Sequence, residues 1–273
     1  MSLLDFILNV AGLLLWLKWC AAPPALMAPG EIPALPRPRR ASPPSARWLY
    51  LLALSGLLAG RAVFYWQAGP PLAWHPGIPL GPVHLFFRSD LFGRMLLFSC
   101  FSFAATLGLF YLCLLTLSLL NSSTPDADPA QRLVRWHLGA LGRWPHAAKL
   151  LLPMLVTVAL WCSVNPLLLR LGMLPRETPW HLLAHGAVIG LATYLVLKFL
   201  VAGFLLLHLL NSYVYLGDFA FWDFVNATAR GLLRPLQWLP LKIGRVDLAP
   251  LVGVALVMVA AEFGQMGLDR LYH

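Results

Sequence analysis

The sequence predicts an all-α, polytopic helical membrane protein, on three observations. Hydrophobic residues make up 59% of the 273 and charged residues only 11%, where a soluble domain carries about 25% charged residues. The apolar residues fall in blocks of roughly 20, the length a helix needs to cross a bilayer. The formal net charge of +9 is gathered in short segments between those blocks. Membrane orientation accounts for that pattern, and nucleic-acid binding does not.

About six spans follow in order. The first covers Leu3–Trp19. Its basic residue, Lys18, comes after the apolar run, the reverse of a cleaved signal, so the segment is read as retained and running from outside inward. A Pro-rich loop (21–46) holding Arg37, Arg39 and Arg40 is expected to be extended. The second span is Trp48–Trp66, ending in Phe64, Tyr65 and Trp66 at an interface. Gln67–Ser89, rich in Gly and Pro and poor in charge, reads as an outer loop. The third block, Leu91–Leu120, is longer than one straight span requires. Spans four to six are Leu150–Leu169, Leu182–Leu210 and Leu248–Met266, with polar connectors at Asn121–Pro145 and Asn211–Asp247. Domain-like regions are 1–90, 91–172 and 173–273.

Charge sets the orientation. Placing the loop and both connectors in the cytoplasm collects Lys18, the four arginines of 37–47, Arg132, Arg135, Arg143, Lys149, Arg230, Arg234, Lys242 and Arg245 on one side. Arg88, Arg94, Arg170, Arg176 and Arg270 remain outside, with both termini. The expected location is the cell inner (plasma) membrane. The four cysteines (Cys20, Cys100, Cys113, Cys162) lie far apart with no CxxC or metal-ligand spacing, and read as small apolar helix residues.

An internal repeat is visible. Leu117–Ser123 reads LSLLNSS and Leu207–Tyr213 reads LHLLNSY. After each come a charged amphipathic stretch, a Trp near a Pro, and an apolar block opening on a Pro. Trp144, Pro145 and Pro153 answer to Trp238, Pro240 and Pro250. Both copies cross in one direction, a parallel repeat rather than the inverted kind common in transporters.

The second copy contains Leu232-Leu233-Arg234-Pro235, then Pro240, Gly244, Asp247 and Pro250, running directly into a span. This resembles the signature of the YggT (YlmG) family of small bacterial and plastid membrane proteins, closest over Leu197–Phe263 and degraded over Leu107–Leu160. The sequence departs from the pattern at Gln237-Trp238, Arg245 and Ala249. The resemblance implies a non-enzymatic membrane protein with roles around osmotic tolerance, envelope or division organisation, or b-type cytochrome assembly.

The residues give the corner its own logic. Asp218–Arg234 places Phe219, Trp222, Val225, Asn226 and Ala229 near one face, an amphipathic helix suited to the headgroup layer. Pro235 and Pro240 stop it, Gly244 permits a bend, and Asp247 caps the last span with Pro250 in its first turn. One reading makes this a structural re-entry corner. The other makes Arg234, Lys242 and Arg245 contacts for anionic headgroups or a partner.

Intramembrane charges are the other candidates. Arg61, Lys198 and Glu262 each lie about 14 positions from the cytoplasmic end of their span, a shared depth of roughly 21 Å. A Lys198–Glu262 ion pair, with Arg61 joining it, is weighed against outward snorkelling. His181 and His185 stand one turn apart but lack a third metal ligand, and His208 has no evident bis-His partner. No Walker loop, GxSxG, HExxH or dinucleotide fingerprint occurs.

The leading expectation is therefore a membrane scaffold or assembly protein that is not an enzyme and uses no metal or cofactor. Its partners would be the bilayer, anionic lipid headgroups, other membrane proteins or itself. A small transporter or channel component using Arg61, Lys198 and Glu262 is the alternative. A haem-assembly factor using His185 or His208 is the third.

Overall fold

A computed structural model describes residues 2–20, 44–71, 74–121, 129–174, 178–214, 219–236, 238, 242–243 and 246–272. The elements are α1 (Ser2–Cys20), α2 (Pro44–Ala68), strands β1 (Gly77–Leu80) and β2 (Val83–Phe86), α3 (Phe92–Leu120), α4 (Pro129–Leu138), α5 (His146–Arg170), α6 (Pro179–Leu195), α7 (Leu197–Tyr213), α8 (Ala220–Leu233), strands β3 (Lys242–Ile243) and β4 (Val246–Asp247), and α9 (Ala249–Tyr272). Short 3-10 turns follow α4 (Gly139–Arg143) and α8 (Arg234–Leu236). Six segments are long and apolar enough to cross a membrane: α1, α2, α3, α5, the α6–α7 pair and α9. The fold is that of a polytopic helical membrane protein, whose exposed apolar faces are its lipid contacts.

Two compact units divide the chain. The first comprises Met1–Ile78 and Phe86–Leu107, and the second Pro79–Leu85 and Gly108–His273. In the first unit α1 and α2 run antiparallel, since Asp5 and Asn9 meet Arg61 while Gly12 lies against Leu54. A Cβ on Gly12 would stand 2.9 Å from the Phe103 ring, so glycine is what lets α1 approach α3.

In the second unit, the ends of α3 and α7 and the beginnings of α5 and α9 converge on the short helices α4 and α8. Asn121, just beyond α3, bonds Thr228 of α8. Lys149 at the start of α5 bonds Ser118 of α3. Leu205 of α7, Leu233 of α8 and Ala249 at the start of α9 share one cluster. Gly186 and Gly190 bring the backbone of α6 close to α5, because a Cβ on Gly190 would lie 3.2 Å from the Met154 carbonyl. This is the small-xxx-small packing of membrane helices.

Two sequence expectations change. The loop after α2 carries a hairpin, β1–β2, whose turn is opened by Gly81 at φ +66°. A side chain there would also strike Ala192, whose Cβ is 2.4 Å from the added carbon. The fifth span is interrupted at Val196. Just before the break, the Thr193 hydroxyl donates to the Gly190 carbonyl (2.6 Å), a side-chain competitor for the helical ladder of the kind that bends helices.

Candidate functional site

Three one-turn pairs of residues face one another inside the first unit: Asp5 and Asn9 on α1, Arg61 and Tyr65 on α2, Phe98 and Ser102 on α3. Residues four apart share a helix face, so each helix presents a two-residue patch to the others. The Arg61 side chain is fully buried and that of Asp5 is 21% exposed. Arg61 donates through Nη1 to Asn9 Oδ1 (2.7 Å) and through Nη2 to Asp5 Oδ1 (2.7 Å) and Ser102 Oγ (2.9 Å). Asn9 Nδ2 donates to the same Ser102 hydroxyl (3.0 Å), and the Tyr65 hydroxyl donates to Asp5. The guanidinium carbon lies 5.4 Å from the Tyr65 ring centroid and 5.3 Å from that of Phe98, near enough for cation–π attraction. Tyr65, Trp74, Phe87 and Phe98 form one connected ring cluster beside it. A charge in hydrocarbon is tolerated only with such pairing.

Arg61 therefore belongs with Asp5 and Asn9, neither of which the sequence reading singled out. Among the described residues the ion pairs are Arg61–Asp5 and Arg88–Asp90. The weighed Lys198–Glu262 pair does not form. The buried seam of α9 includes Pro250, Gly253, Ala261 and Leu268, and Glu262 projects one position around the helix from Ala261, onto an exposed face. Lys198 is half-buried, with its ammonium 5.3 Å from the ring of adjacent Phe199.

The second constellation is the connector end of the second unit. Asn121 is 1% exposed and Thr228 wholly buried. Asn121 Nδ2 donates to Thr228 Oγ1 (2.8 Å), whose hydroxyl in turn donates to the Phe224 carbonyl (2.8 Å). Gln131 Nε2 of α4 donates to the Asn121 carbonyl (2.6 Å). One residue at the end of a span thus holds both connector helices. Nearby, Lys149, only 7% exposed, donates to Ser118 Oγ (3.1 Å) and to the Gly142 carbonyl (2.8 Å), both neutral acceptors. His208 of α7 donates through Nδ1 to Asn226 Oδ1 of α8 (2.8 Å).

The buried face of α8 is Phe224, Val225, Thr228, Ala229 and Leu233. Of the residues read as one amphipathic face, Val225 and Ala229 are buried while Phe219 is 66% exposed. The helix packs inward through Phe224, Val225, Thr228, Ala229 and Leu233, with the Phe224 ring 6.0 Å from Phe204 of α7, while Phe219 and Phe221 turn outward. Of the motif residues, Arg234 and Pro235 are exposed in the 3-10 turn after α8, and Lys242 lies in β3. Asp247 Oδ1 accepts from the Ala249 N–H (2.9 Å). Leu248, whose carbonyl accepts from the Val252 N–H, takes the N-cap position proper, so Asp247 caps from one residue further out. Pro250 is buried in the first turn of α9. Pro240, Gly244 and Arg245 lie outside the described residues. The His181 and His185 rings are 6.4 Å apart, and among the described residues no group of three or more His, Cys, Asp or Glu is placed to hold a metal.

No family model matches the chain, and neither a curated protein nor a solved structure does.

Proposed function

We propose that this chain is a non-enzymatic integral membrane scaffold or assembly protein of the YggT type, sitting in the inner membrane with its connector end in the cytoplasm. One observation carries the reading. The connectors α4 and α8 are held by buried hydrogen bonds to Asn121 at the end of α3, which makes the connector end a preformed platform. Preorganisation of this kind lowers the ordering cost of binding a partner. The exposed corners flanking it, Trp144 (45%) and Trp238 (81%), carry the side-chain type most enriched at binding hot spots. The transporter alternative drew on Arg61, Lys198 and Glu262, and Arg61 is engaged by Asp5.

The test is photo-crosslinking in intact cells from an unnatural residue at Trp144, Trp238 or, as a lipid-facing control, Leu155. The expected result is one partner of the same mass captured from both corner positions, absent at Leu155, and lost when Asn121→Leu loosens the platform. Lipid adducts alone at all three positions would refute the scaffold reading.

A further inference from the structure

We infer that the outward face of the connector platform is a docking surface for anionic lipid headgroups of the surrounding bilayer, with Arg132, Arg230 and Arg234 as its phosphate contacts. This is independent of whether a protein also binds the corners. Position comes first. Asn121 stands one residue beyond the end of α3, and its backbone carbonyl is bonded to Gln131 of α4 while its side chain is bonded to Thr228 of α8. Two helices in hydrogen-bond contact with the last turn of a span lie where the hydrocarbon gives way to headgroups, a layer several ångströms deep.

Surface chemistry agrees. The inner face of α4 is Gln131, Val134 and Leu138, all buried. The outer face carries exposed Arg132 beside Leu133 (58%) and Trp136 (52%). On α8 and its 3-10 turn, exposed Arg230 and Arg234 share the surface with Phe219, Phe221 and the carboxylate of Asp223. Leucine, tryptophan and phenylalanine side by side with arginine suit a surface that is apolar at one level and anionic at the next, which is the bilayer interface. An acidic soluble protein would meet the charges but leave no reason for the apolar residues.

The experiment uses the full chain, stripped of lipid in mild detergent and titrated with phosphatidylglycerol or phosphatidylcholine under native mass spectrometry. Phosphatidylglycerol is expected to bind at least tenfold more tightly, with a preference that declines as salt is raised. Each Arg→Gln change at Arg132, Arg230 or Arg234 should remove about fivefold of it, the weight of one basic residue near an anionic surface. Arg170→Gln, an exposed arginine at the far end of α5, should leave it intact. Equal binding of the two lipids by the unaltered chain would overturn the inference without touching the scaffold reading. A preference insensitive to all three substitutions, or equally sensitive to Arg170→Gln, would also overturn it. Should the triple variant fail to fold, the salt dependence of the unaltered chain decides, because a preference unchanged by salt is not electrostatic.

Discussion

Replacing Arg61 by Met tests whether the Asp5–Asn9–Arg61–Ser102 node holds the first unit together. The substitution keeps an unbranched chain of similar reach and removes three hydrogen bonds: to Asn9, Asp5 and Ser102. It also strands the Asp5 carboxylate, which is four-fifths buried, with only the Tyr65 hydroxyl as donor. Removing one partner of a buried pair costs about 3–5 kcal/mol in soluble proteins. Hydrogen bonds between membrane helices average only about 0.6 kcal/mol each, because the unfolded chain in a membrane also finds partners. Three bonds at that rate give about 2 kcal/mol, and the stranded carboxylate adds to it, so a loss of about 3 kcal/mol is expected. Asp5→Leu alone should cost less, since the guanidinium keeps Asn9 and Ser102. Asp5→Leu with Arg61→Met should recover part of the loss, because an apolar pair leaves no orphaned charge. The assay is a double-mutant cycle by reversible unfolding in mixed micelles. A coupling energy below about 0.5 kcal/mol, within the usual additivity of independent sites, would refute the reasoning.

Three further outcomes follow from the geometry. Thr228→Val removes the buried bond to Asn121 and should cost about 1–2 kcal/mol, read as faster amide exchange across α8 with α6 unchanged. Gly190→Leu forces a side chain into the 3.1–3.2 Å space beside Met154 and should cost about 1–3 kcal/mol; Gly203→Leu, where nothing lies within 4 Å, should be near neutral in the same unfolding assay. Lys198→Ala and Glu262→Ala should have additive effects, within about 0.5 kcal/mol, since the two side chains form no ion pair; a larger coupling would restore the pairing that the sequence suggested.

The spans were legible because a stretch of about 20 apolar residues has few other uses. Leu3–Trp19 and Leu150–Leu169 lie within a few residues of α1 and α5. The β1–β2 hairpin was not legible, because its alternation of Ile78 and Leu80, then Val83 and Leu85, spans only four residues per strand amid Gly and Pro. The face of α8 was only partly legible, because Phe219, Val225 and Ala229 share one face by spacing while Phe219 is exposed and the other two are buried. In a helix that meets both protein and bilayer, small residues such as Ala229 and Thr228 permit close helix contact while aromatics suit the interface. The node was half visible. Arg61 stood out as a charge inside a span, but Asp5 and Asn9 lie 56 and 52 positions away, in a segment whose hydropathy hides one acid and one amide. The one-turn spacing of Asp5 and Asn9 was the available signal. The Gly186–Gly190 pair, a GxxxG inside an apolar run, was likewise there to be read.

The 2.7 Å separation of Arg61 and Asp5 also decides how the first unit responds to the electrical potential across the membrane. A lone elementary charge carried through 100 mV exchanges about 2.3 kcal/mol with the field. Opposite charges that move together exchange almost nothing, so the Arg61–Asp5 pair carried as a body does negligible electrical work. Lys198 forms no such ion pair among the described residues. A displacement of α7 along the membrane normal, with α9 and its Glu262 left in place, would carry that charge through the field.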